Sequence, residues 1–294
     1  MFADLIRFNP PFRVIRVPFP TFAPVKNKQK VFRWIKIVII CYCLIGTALY
    51  YLQDKLLLRP KPLAAESAYQ FTQPFRETNI ELDADTKLNL VQFTVPDSLR
   101  KGVVIYFHGN RENVSRYAKF AETFTRNHYE VWMPDYPGFG KSTGVFTEKT
   151  LYDEALQVYK LAREKYQPNQ IIIYGKSLGT GIAAQLASVR DCKKLILETP
   201  YYSLTSLVRL VAFIYPVDLL LHYKMPTHEY LTKVTAPISI FHGTDDGVVP
   251  YFNAERLKKV LKPADEFITV EEGIHTNLYS FSLVQKKLDS LLSN

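Results

Sequence analysis

Short apolar segments separated by amphipathic ones make up most of the chain. Each apolar segment has four or five residues and is rich in β-branched or aromatic side chains, as is typical of strands buried on both faces of a parallel sheet. Five such segments are candidates for buried strands, at residues 103–107, 130–133, 171–174, 194–197 and 237–241, and a further short strand is predicted at 267–270. The stretches between them have helical periodicity; in 147–166, for example, one face carries Leu151, Ala155, Val158 and Ala162. This alternation predicts an α/β fold with a mostly parallel central sheet flanked by helices.

Both ends of this pattern carry further elements. Segments 79–82 and 88–95 precede the first buried strand and suit an antiparallel edge of the sheet, and an amphipathic segment at about 278–292 predicts a final helix. About 240 of the 294 residues remain once the first fifty or so are set aside, which is enough for one domain with a full core. We therefore predict a single domain over residues 55–294.

One apolar run differs from the others in length. Residues 37–52 contain no charged residue and follow Trp34, Ile35 and Lys36, so the run is just long enough to cross a bilayer as a helix of roughly 20 residues. A signal peptide is the second interpretation. No small-residue cleavage pattern follows the run, and some thirty residues precede it, so an uncleaved anchor is favoured over both a signal peptide and a buried core helix.

The distribution of charge supports an anchor. The net charge is +9, but residues 1–36 hold eight Lys or Arg residues against Asp4 alone, a net +7 that leaves +2 for the remainder. A basic arm next to an apolar span argues against nucleic-acid binding by the domain. By the positive-inside rule, the N-terminus should remain in the cytoplasm and the domain should lie on the non-cytoplasmic side.

The three cysteines argue against a fold held together by disulfides. Cys41 and Cys43 lie within the apolar run, and Cys192 is far from both, so no disulfide framework or metal site is implied. We expect no cofactor and no metal.

The chemistry of the chain centres on Gly175, Ser177 and Gly179. They form a Gly-x-Ser-x-Gly motif between the strand at 171–174 and a helix that begins with small residues, which is the pattern of a nucleophile elbow. The sharp turn forces the serine into a strained backbone conformation, so its neighbours two residues away must lack side chains. Ser177 is the predicted nucleophile.

A serine hydroxyl needs an imidazole as base and a carboxylate to orient that imidazole, in the chain order Ser, Asp, His. Asp246 follows the strand at 237–241, and His275 follows the strand at 267–270. Asp245 is adjacent and is interpreted as a solvated turn residue, while Glu198 is a distant second candidate for the acid. The other histidines suit structural roles or lack a preceding strand end; they are His108, His128, His222, His228 and His242.

Two backbone N–H groups should stabilise the oxyanion of a tetrahedral intermediate. One follows the nucleophile and belongs to Leu178. The other should come from the loop after an early strand, where His108-Gly109-Asn110 follows the strand at 103–107. Gly109 allows close approach of the backbone, so Asn110 is the expected second donor. The glycine-rich loop at 135–144 lacks P-loop spacing and is interpreted as backbone shaping below the site.

On these motifs the chain resembles the α/β-hydrolase superfamily. More narrowly, it resembles the membrane-anchored alpha/beta-hydrolase domain-containing proteins, which are grouped loosely with serine aminopeptidase-like hydrolases. The resemblance rests on 107–110, 135–144, 175–181, 243–250 and His275, and it extends over roughly 55–294. It implies hydrolysis of an ester, thioester or amide through an acyl-serine. Arg111, Glu112 and Lys176 depart from the pattern of the family and bear on the substrate.

The segment between the strand at 194–197 and Pro237 is rich in large apolar residues. In the resembled fold such an insertion forms a small helical cap over the serine, here about 201–235 and called the cap segment below. An apolar cap would favour an acyl chain, although helices packed on the core would have the same composition.

Together these features predict a membrane-anchored serine hydrolase that acts on a carboxylic ester or thioester, with lipid or acylated small molecules ahead of peptides. Its partners would be that substrate and the membrane. Three alternatives remain open: a serine peptidase of the aminopeptidase type, a non-catalytic scaffold that binds a lipid or a protein, and a membrane-surface adaptor that acts through residues 1–36.

Overall fold

A sheet of eight strands lies at the centre of the structure, a computed structural model that describes residues 27–293. In chain order the strands are β1 (Arg59–Pro60), β2 (Phe75–Glu81), β3 (Lys87–Phe93), β4 (Gly102–Phe107), β5 (Arg111–Glu112), β6 (Tyr129–Pro134), β7 (Ile171–Lys176), β8 (Lys194–Glu198), β9 (Ile238–Gly243) and β10 (Glu266–Val270). The order across the large sheet is β10-β9-β8-β7-β4-β6-β3-β2, with β1 and β5 paired separately. In this order, the six strands from β10 through β6 are parallel to one another. Strand β3 is antiparallel to β6, and β2 is antiparallel to β3. The prediction of a mostly parallel sheet with an antiparallel edge is confirmed.

Helices after β5 cover both faces of this sheet. In chain order the helices are α1 (Lys28–Leu57), α2 (Val114–Tyr117), α3 (Ala121–Thr125), α4 (Glu148–Arg163), α5 (Leu178–Val189), α6 (Leu204–Arg209), α7 (Val217–Leu220), α8 (Thr227–Leu231), α9 (Tyr251–Glu255) and α10 (Ser282–Ser293), with 3₁₀ turns at Ala118–Phe120, Pro168–Gln170, Arg256–Val260 and Leu278–Ser280. Side chains alternate along a strand, so each strand serves two cores. In β7, Ile171 and Ile173 pack with α4 and α5, and Ile172 and Tyr174 pack with α3 and α10.

Two predicted helix boundaries are refined by capping and turn geometry. Helix α4 begins after Thr147, whose hydroxyl accepts a hydrogen bond from the Thr150 N–H at 3.0 Å. The final helix begins at Ser282 rather than near Leu278, because residues 278–280 form a separate 3₁₀ turn. The sequence pattern could not separate the two because Leu278 and the helix bury apolar side chains in the same core.

The described residues divide into two compact units between Ala48 and Leu49. The first contains most of α1, a 30-residue helix that is apolar and long enough to cross a membrane. It is longer at both ends than the predicted 37–52 span, and the side chains in its most apolar window are unburied. Residues 1–26 of the predicted basic arm lie outside the described residues.

The second unit contains the sheet, and its topology determines where a site can form. Parallel strands place their carboxyl ends at one edge, so the segments after β4, β7, β9 and β10 emerge together. These segments carry Asn110, Ser177, Asp246 and His275.

Candidate active site

Ser177 occupies the one-residue turn between β7 and α5. Its φ of 50° lies in the left-handed region, which a serine adopts only when the surrounding structure holds it there. The Ser177 N–H donates to the Glu198 carbonyl at 2.9 Å, and the Ser177 carbonyl accepts from the Thr180 N–H at 2.9 Å. Bonds to the neighbouring strand and to the new helix thus fix the serine on both sides.

The two glycines of the motif are required by close packing. A Cβ on Gly175 would lie 2.5 Å from the Gly179 carbonyl oxygen, and a Cβ on Gly179 would lie 2.1 Å from the Phe107 carbonyl oxygen. Real Cβ atoms do not approach backbone atoms so closely. Helix α5 therefore starts directly against the ends of β7 and β4 only because both side chains are absent.

His275 lies between Ser177 and Asp246. Its Nε2 is 2.9 Å from the Ser177 Oγ, and its Nδ1 is 2.7 Å from the Asp246 Oδ2. These distances permit a serine hydroxyl to donate to the imidazole while the imidazole donates to the carboxylate. The structure thus brings together the three side chains that the sequence selected from segments almost a hundred residues apart.

The carboxylate of Asp246 is buried, and hydrogen-bond donors of the protein surround it. Its Oδ1 accepts hydrogen bonds from the N–H groups of Val248 and Val249, both at 2.8 Å. Burial alone would raise the pKa of Asp246, but the hydrogen bond to His275, the charge of His275 and the Val249 N–H outweigh burial and lower that pKa below its usual value. Asp246 is therefore ionised across the neutral range and holds the imidazole in one orientation.

The competing acids lie elsewhere. Asp245 is exposed, and its side chain accepts a bond from the Thr244 hydroxyl at 3.1 Å. Glu198 is buried beneath the serine, where it pairs with the Lys176 ammonium and accepts a 2.6 Å bond from the Tyr174 hydroxyl. Neither carboxylate contacts His275 among the described residues.

The backbone near Ser177 contains two N–H groups that have no hydrogen-bond partner in the described part of the chain. One is the N–H of Leu178, the first residue of α5, and the other is the N–H of Asn110. Gly109 lies beside the serine, since a Cβ there would be 3.6 Å from the Ser177 Cβ. The side chain of Asn110 points away and donates to the Leu57 carbonyl at 2.6 Å. Both groups are the donors that the sequence predicted for an oxyanion.

Two buried histidines shape the loops of the site. The ring nitrogens of His108 lie 2.7 Å from the Gly109 carbonyl oxygen and 3.1 Å from Asp135 Oδ1. His242 Nε2 lies 2.9 Å from the Val249 carbonyl oxygen, on the turn that carries Asp246. Burial lowers the pKa of His242 against the opposing effects of Val249 and Asp246, so this ring is neutral at pH 7.

Comparison with known proteins places this geometry in context. The family model described as "Serine aminopeptidase, S33" matches residues 99–228, a region that includes Ser177 and Asn110 and ends before Asp246 and His275. The chain is 30% identical over 194 residues to alpha/beta hydrolase domain-containing protein 17C of Xenopus tropicalis, covering 65% of this chain and 61% of that protein. It is 29% identical over 196 residues to human alpha/beta hydrolase domain-containing protein 17B, covering 66% of this chain and 67% of that protein.

Solved structures agree with this similarity. The Pyrococcus furiosus esterase Pf2001 superposes with a TM-score of 0.62 at 18% identity, covering 80% of this chain and 96% of the esterase. Est1E of Butyrivibrio proteoclasticus, solved with ferulic acid bound, gives 0.60 at 19% identity, covering 73% and 97% of the two chains. The chain has the α/β-hydrolase fold, and residues 99–228 are similar to the serine aminopeptidase family. Its match spans about three fifths of the length of the first curated relatives.

Ser177 opens into a cavity of about 320 Å³. Its lining includes residues that the sequence did not single out, namely Leu56, Arg59, Arg116, Tyr117, Lys119, Phe120, Val248 and Thr276. Four of the eight, Arg116, Tyr117, Lys119 and Phe120, lie within ten residues of the loop at 108–110, so closeness in sequence to the predicted oxyanion donors was the available signal for these four. Within residues 27–293, no group of three or more His, Cys, Asp or Glu side chains is arranged to hold a metal ion.

A second, apolar cavity of about 160 Å³ adjoins the first. It lies between residues 49–57 and the cap segment, and Leu56 lines both cavities. Gln53 links residues 49–57 to the cap segment by two hydrogen bonds. Its side-chain amide donates to the Leu220 carbonyl at 3.2 Å and accepts from the His222 N–H at 2.8 Å. The cap segment thus lines the apolar cavity and contributes no lining residue to the cavity at Ser177.

Proposed function

We propose that this chain is a membrane-anchored serine hydrolase that cleaves a carboxylic ester or thioester of a lipid or acylated substrate through an acyl-serine intermediate. The observation that carries the proposal is the hydrogen-bonded series of Ser177, His275 and Asp246 at 2.9 and 2.7 Å. Such a series activates a hydroxyl that is otherwise a poor nucleophile.

In the first half of the proposed reaction, the Ser177 Oγ attacks the carbonyl carbon while His275 Nε2 takes the hydroxyl proton. Negative charge then develops on the carbonyl oxygen, where the N–H groups of Leu178 and Asn110 can donate to it. Collapse of this intermediate breaks the bond to the leaving group, which takes the proton from His275. An alcohol or thiol departs and the acyl group stays on the serine.

The second half mirrors the first with water as the nucleophile. His275 takes a proton from water, the resulting hydroxide attacks the acyl-serine, and the proton returns to the Ser177 Oγ as the carboxylic acid leaves. Asp246 stabilises the imidazolium in both halves because its lowered pKa keeps it ionised.

The cavities favour an acyl substrate over a peptide. An aminopeptidase must bind a protonated α-amine, for which a carboxylate is the natural partner. No Asp or Glu is among the described residues that line the cavity at Ser177, which instead carries five basic side chains. The adjoining apolar cavity suits a hydrocarbon chain.

The test uses the full chain in detergent and a fluorophosphonate probe, which reacts with activated serines. Ser177→Ala should abolish both probe labelling and hydrolysis of p-nitrophenyl esters while the protein remains folded, because only the nucleophile is removed. Ser188→Ala, a change on the same helix α5, is the matched control and should label like the parent protein. A Ser177→Ala protein that still labels would refute the proposed nucleophile.

A graded series of p-nitrophenyl esters, assayed beside an aminopeptidase panel, separates the remaining functions. Ester turnover that changes with acyl length supports the proposal. Turnover of aminoacyl amides alone would indicate a peptidase, and a folded protein with neither activity nor labelling would indicate a non-catalytic scaffold.

A further inference from the structure

The cavity at Ser177 is strongly cationic. Five basic side chains line it: Arg59, Arg111, Arg116, Lys119 and Lys176. Two of them are neutralised by neighbours, since Arg116 pairs with Glu112 and buried Lys176 pairs with Glu198. The other three form no ion pair with any described residue.

Arg59 and Arg111 are also direct neighbours in register. They are partners in the short parallel ladder of β1 and β5, so two like charges occupy adjacent positions of the same small sheet. Directly opposed like charges destabilise a pair of strands. Neither arginine forms an ion pair with a carboxylate of the described residues, and an arrangement that costs stability without a structural partner is typical of a binding site.

This ladder is joined to the predicted oxyanion loop. The N–H of Arg59 donates to the Asn110 carbonyl at 2.9 Å, and β5 begins at the next residue. The guanidinium groups are therefore carried by the same backbone that would hold the developing oxyanion. Lys119 lines the same cavity and is exposed.

We propose that Arg59, Arg111 and Lys119 bind an anionic group of the substrate close to the scissile bond. The substrate class is thus an acyl ester or thioester that carries a phosphate or a carboxylate. Guanidinium groups match both anions because their planar N–H donors bind two oxygens at once. The inference rests on the proposed hydrolase function and deepens it, because it specifies the charge of the substrate.

The adjoining cavities fit such a molecule. An anionic head would occupy the cationic cavity at Ser177, and a hydrocarbon chain would occupy the apolar cavity that shares Leu56 with it. The substrate is then an anionic amphiphile rather than a neutral glyceride.

The test compares 1-acylglycerol with 1-acylglycerol 3-phosphate of the same chain length, since the two differ only in the phosphate. With the full chain in neutral detergent, kcat/KM should be about tenfold higher for the phosphate ester, and 0.5 M NaCl should reduce that ratio. A second pair, p-nitrophenyl hexanoate and mono-p-nitrophenyl adipate, places the charge on the acyl side. The pair with the larger ratio identifies which side of the ester carries the anion.

In the double variant Arg59→Gln/Arg111→Gln, kcat/KM for the charged ester divided by kcat/KM for the neutral ester should fall close to one for the pair with the larger ratio. Arg59→Lys/Arg111→Lys keeps the charge without the planar donors and should give an intermediate ratio. Lys160→Gln/Lys286→Gln removes the same net charge from exposed positions on α4 and α10 and should leave the ratio unchanged. Because a like-charge contact is removed, the thermal midpoint of the glutamine variant should not fall.

Three results would overturn the inference. Equal kcat/KM for charged and neutral esters in the parent protein, with probe labelling intact, would refute the anion site and leave the hydrolase function standing. An unchanged ratio in the glutamine variant, or a lowered thermal midpoint with an unchanged ratio, would assign the arginines a structural role. Absence of both ester turnover and labelling would refute the proposed function, and the inference with it.

Discussion

Adjacent aspartates at the end of β9 differ sharply in their surroundings. Asp246 is 4% exposed, accepts two backbone N–H bonds and contacts His275, whereas Asp245 is exposed and bonds only within its own turn and to the neighbouring loop. The turn from 243 to 250 directs one carboxylate inward and the other outward. Of these two adjacent residues, Asp246 is therefore the partner of the His275 imidazole, and Asp245 is a solvated surface group.

This difference predicts unequal effects of two conservative changes. Asp246→Asn should lower kcat on p-nitrophenyl esters by roughly 10³ to 10⁴, because the amide leaves the imidazole in the wrong tautomer. Asp245→Asn should change kcat by less than about twofold. Circular dichroism of both variants serves as the control for folding. If Asp245→Asn were the more damaging change, the orientation of the turn would have been misassigned.

At the scale of single residues, sequence was informative where chemistry fixes both residue type and order. Ser177 and His275 were selected because a nucleophile elbow and a late histidine follow strand ends. Arg59 and Lys119 gave no such signal, since basic residues on a surface usually contact only solvent. Their place beside Ser177 depends on β1, a two-residue strand too short to show any alternation of apolar and polar positions.

Among the helices, α4 carries an unusual buried acid. Glu154 faces the core beside Ala155 and Leu151 and is 3% exposed, and neither of its carboxylate oxygens has a hydrogen-bond partner within residues 27–293. Burial, with a smaller effect of Asp153, raises its pKa from the usual 4.5 to about 8. The folded protein therefore holds a neutral carboxylic acid over much of the range in which the unfolded chain would ionise.

The sign of the resulting pH dependence follows from proton binding. Between about pH 4.5 and 8 the folded state retains a proton that the unfolded state has lost, so Glu154 makes the folded state less stable as pH rises. Glu154→Gln should remove this dependence. The unfolding free energy of the variant minus that of the parent protein should therefore increase by up to about 1.4 kcal/mol per pH unit across that window. Urea unfolding at several pH values measures the difference.

Glu164→Gln, at the exposed end of the same helix, is the control and should show a nearly constant difference from the parent protein. A Glu154→Gln advantage that is the same at pH 5 and pH 8 would show that the carboxyl is not neutral in the folded state. The sequence pattern of α4 marked its apolar face but did not reveal this acid, because a glutamate at a core position looks like any other interruption of the apolar face.

At the scale of the whole molecule, the orientation of a membrane-inserted N-terminal helix would decide on which side of the membrane the domain lies. Its N-terminal flank carries eight Lys or Arg residues, against Lys55, Arg59 and Lys61 after residue 52. Orientation follows the side with more Lys and Arg in short flanks. We therefore predict that the hydrolase domain lies outside the cytoplasm.

Added protease should then degrade the domain in intact cells or spheroplasts and leave a small membrane-bound N-terminal fragment. Changing the basic residues before the helix to Gln should weaken this orientation, whereas the same number of Lys→Gln changes on the surface of the domain should not. Protection of the domain until lysis would reverse the predicted orientation. Recovery of the enzyme in the soluble fraction would show instead that the segment is cleaved or never inserted.

The fold as a whole was predictable because its signals repeat. Five buried strands with intervening amphipathic helices leave few arrangements other than a mostly parallel sheet. The observed antiparallel edge follows from the two segments that precede these strands. The packing of the cap segment was not predictable. Its apolar composition suits either a lid or a layer on the core. The surface it covers is revealed by its tertiary contacts, such as those of Leu220 and His222 with Gln53 and of Tyr230 with Tyr152.

The separation of the cap segment from the loops around Ser177 has an evolutionary consequence. Its ends enter between β8 and β9, and it supplies none of the four segments that carry Asn110, Ser177, Asp246 and His275. It also packs on the elbow helix: the Tyr201 hydroxyl donates to the Leu178 carbonyl at 3.1 Å, and Met225 lies against Gly181. Substitutions at the cap positions that line the apolar cavity, within 208–221, can therefore reshape that cavity while the four segments around Ser177 keep their sequence.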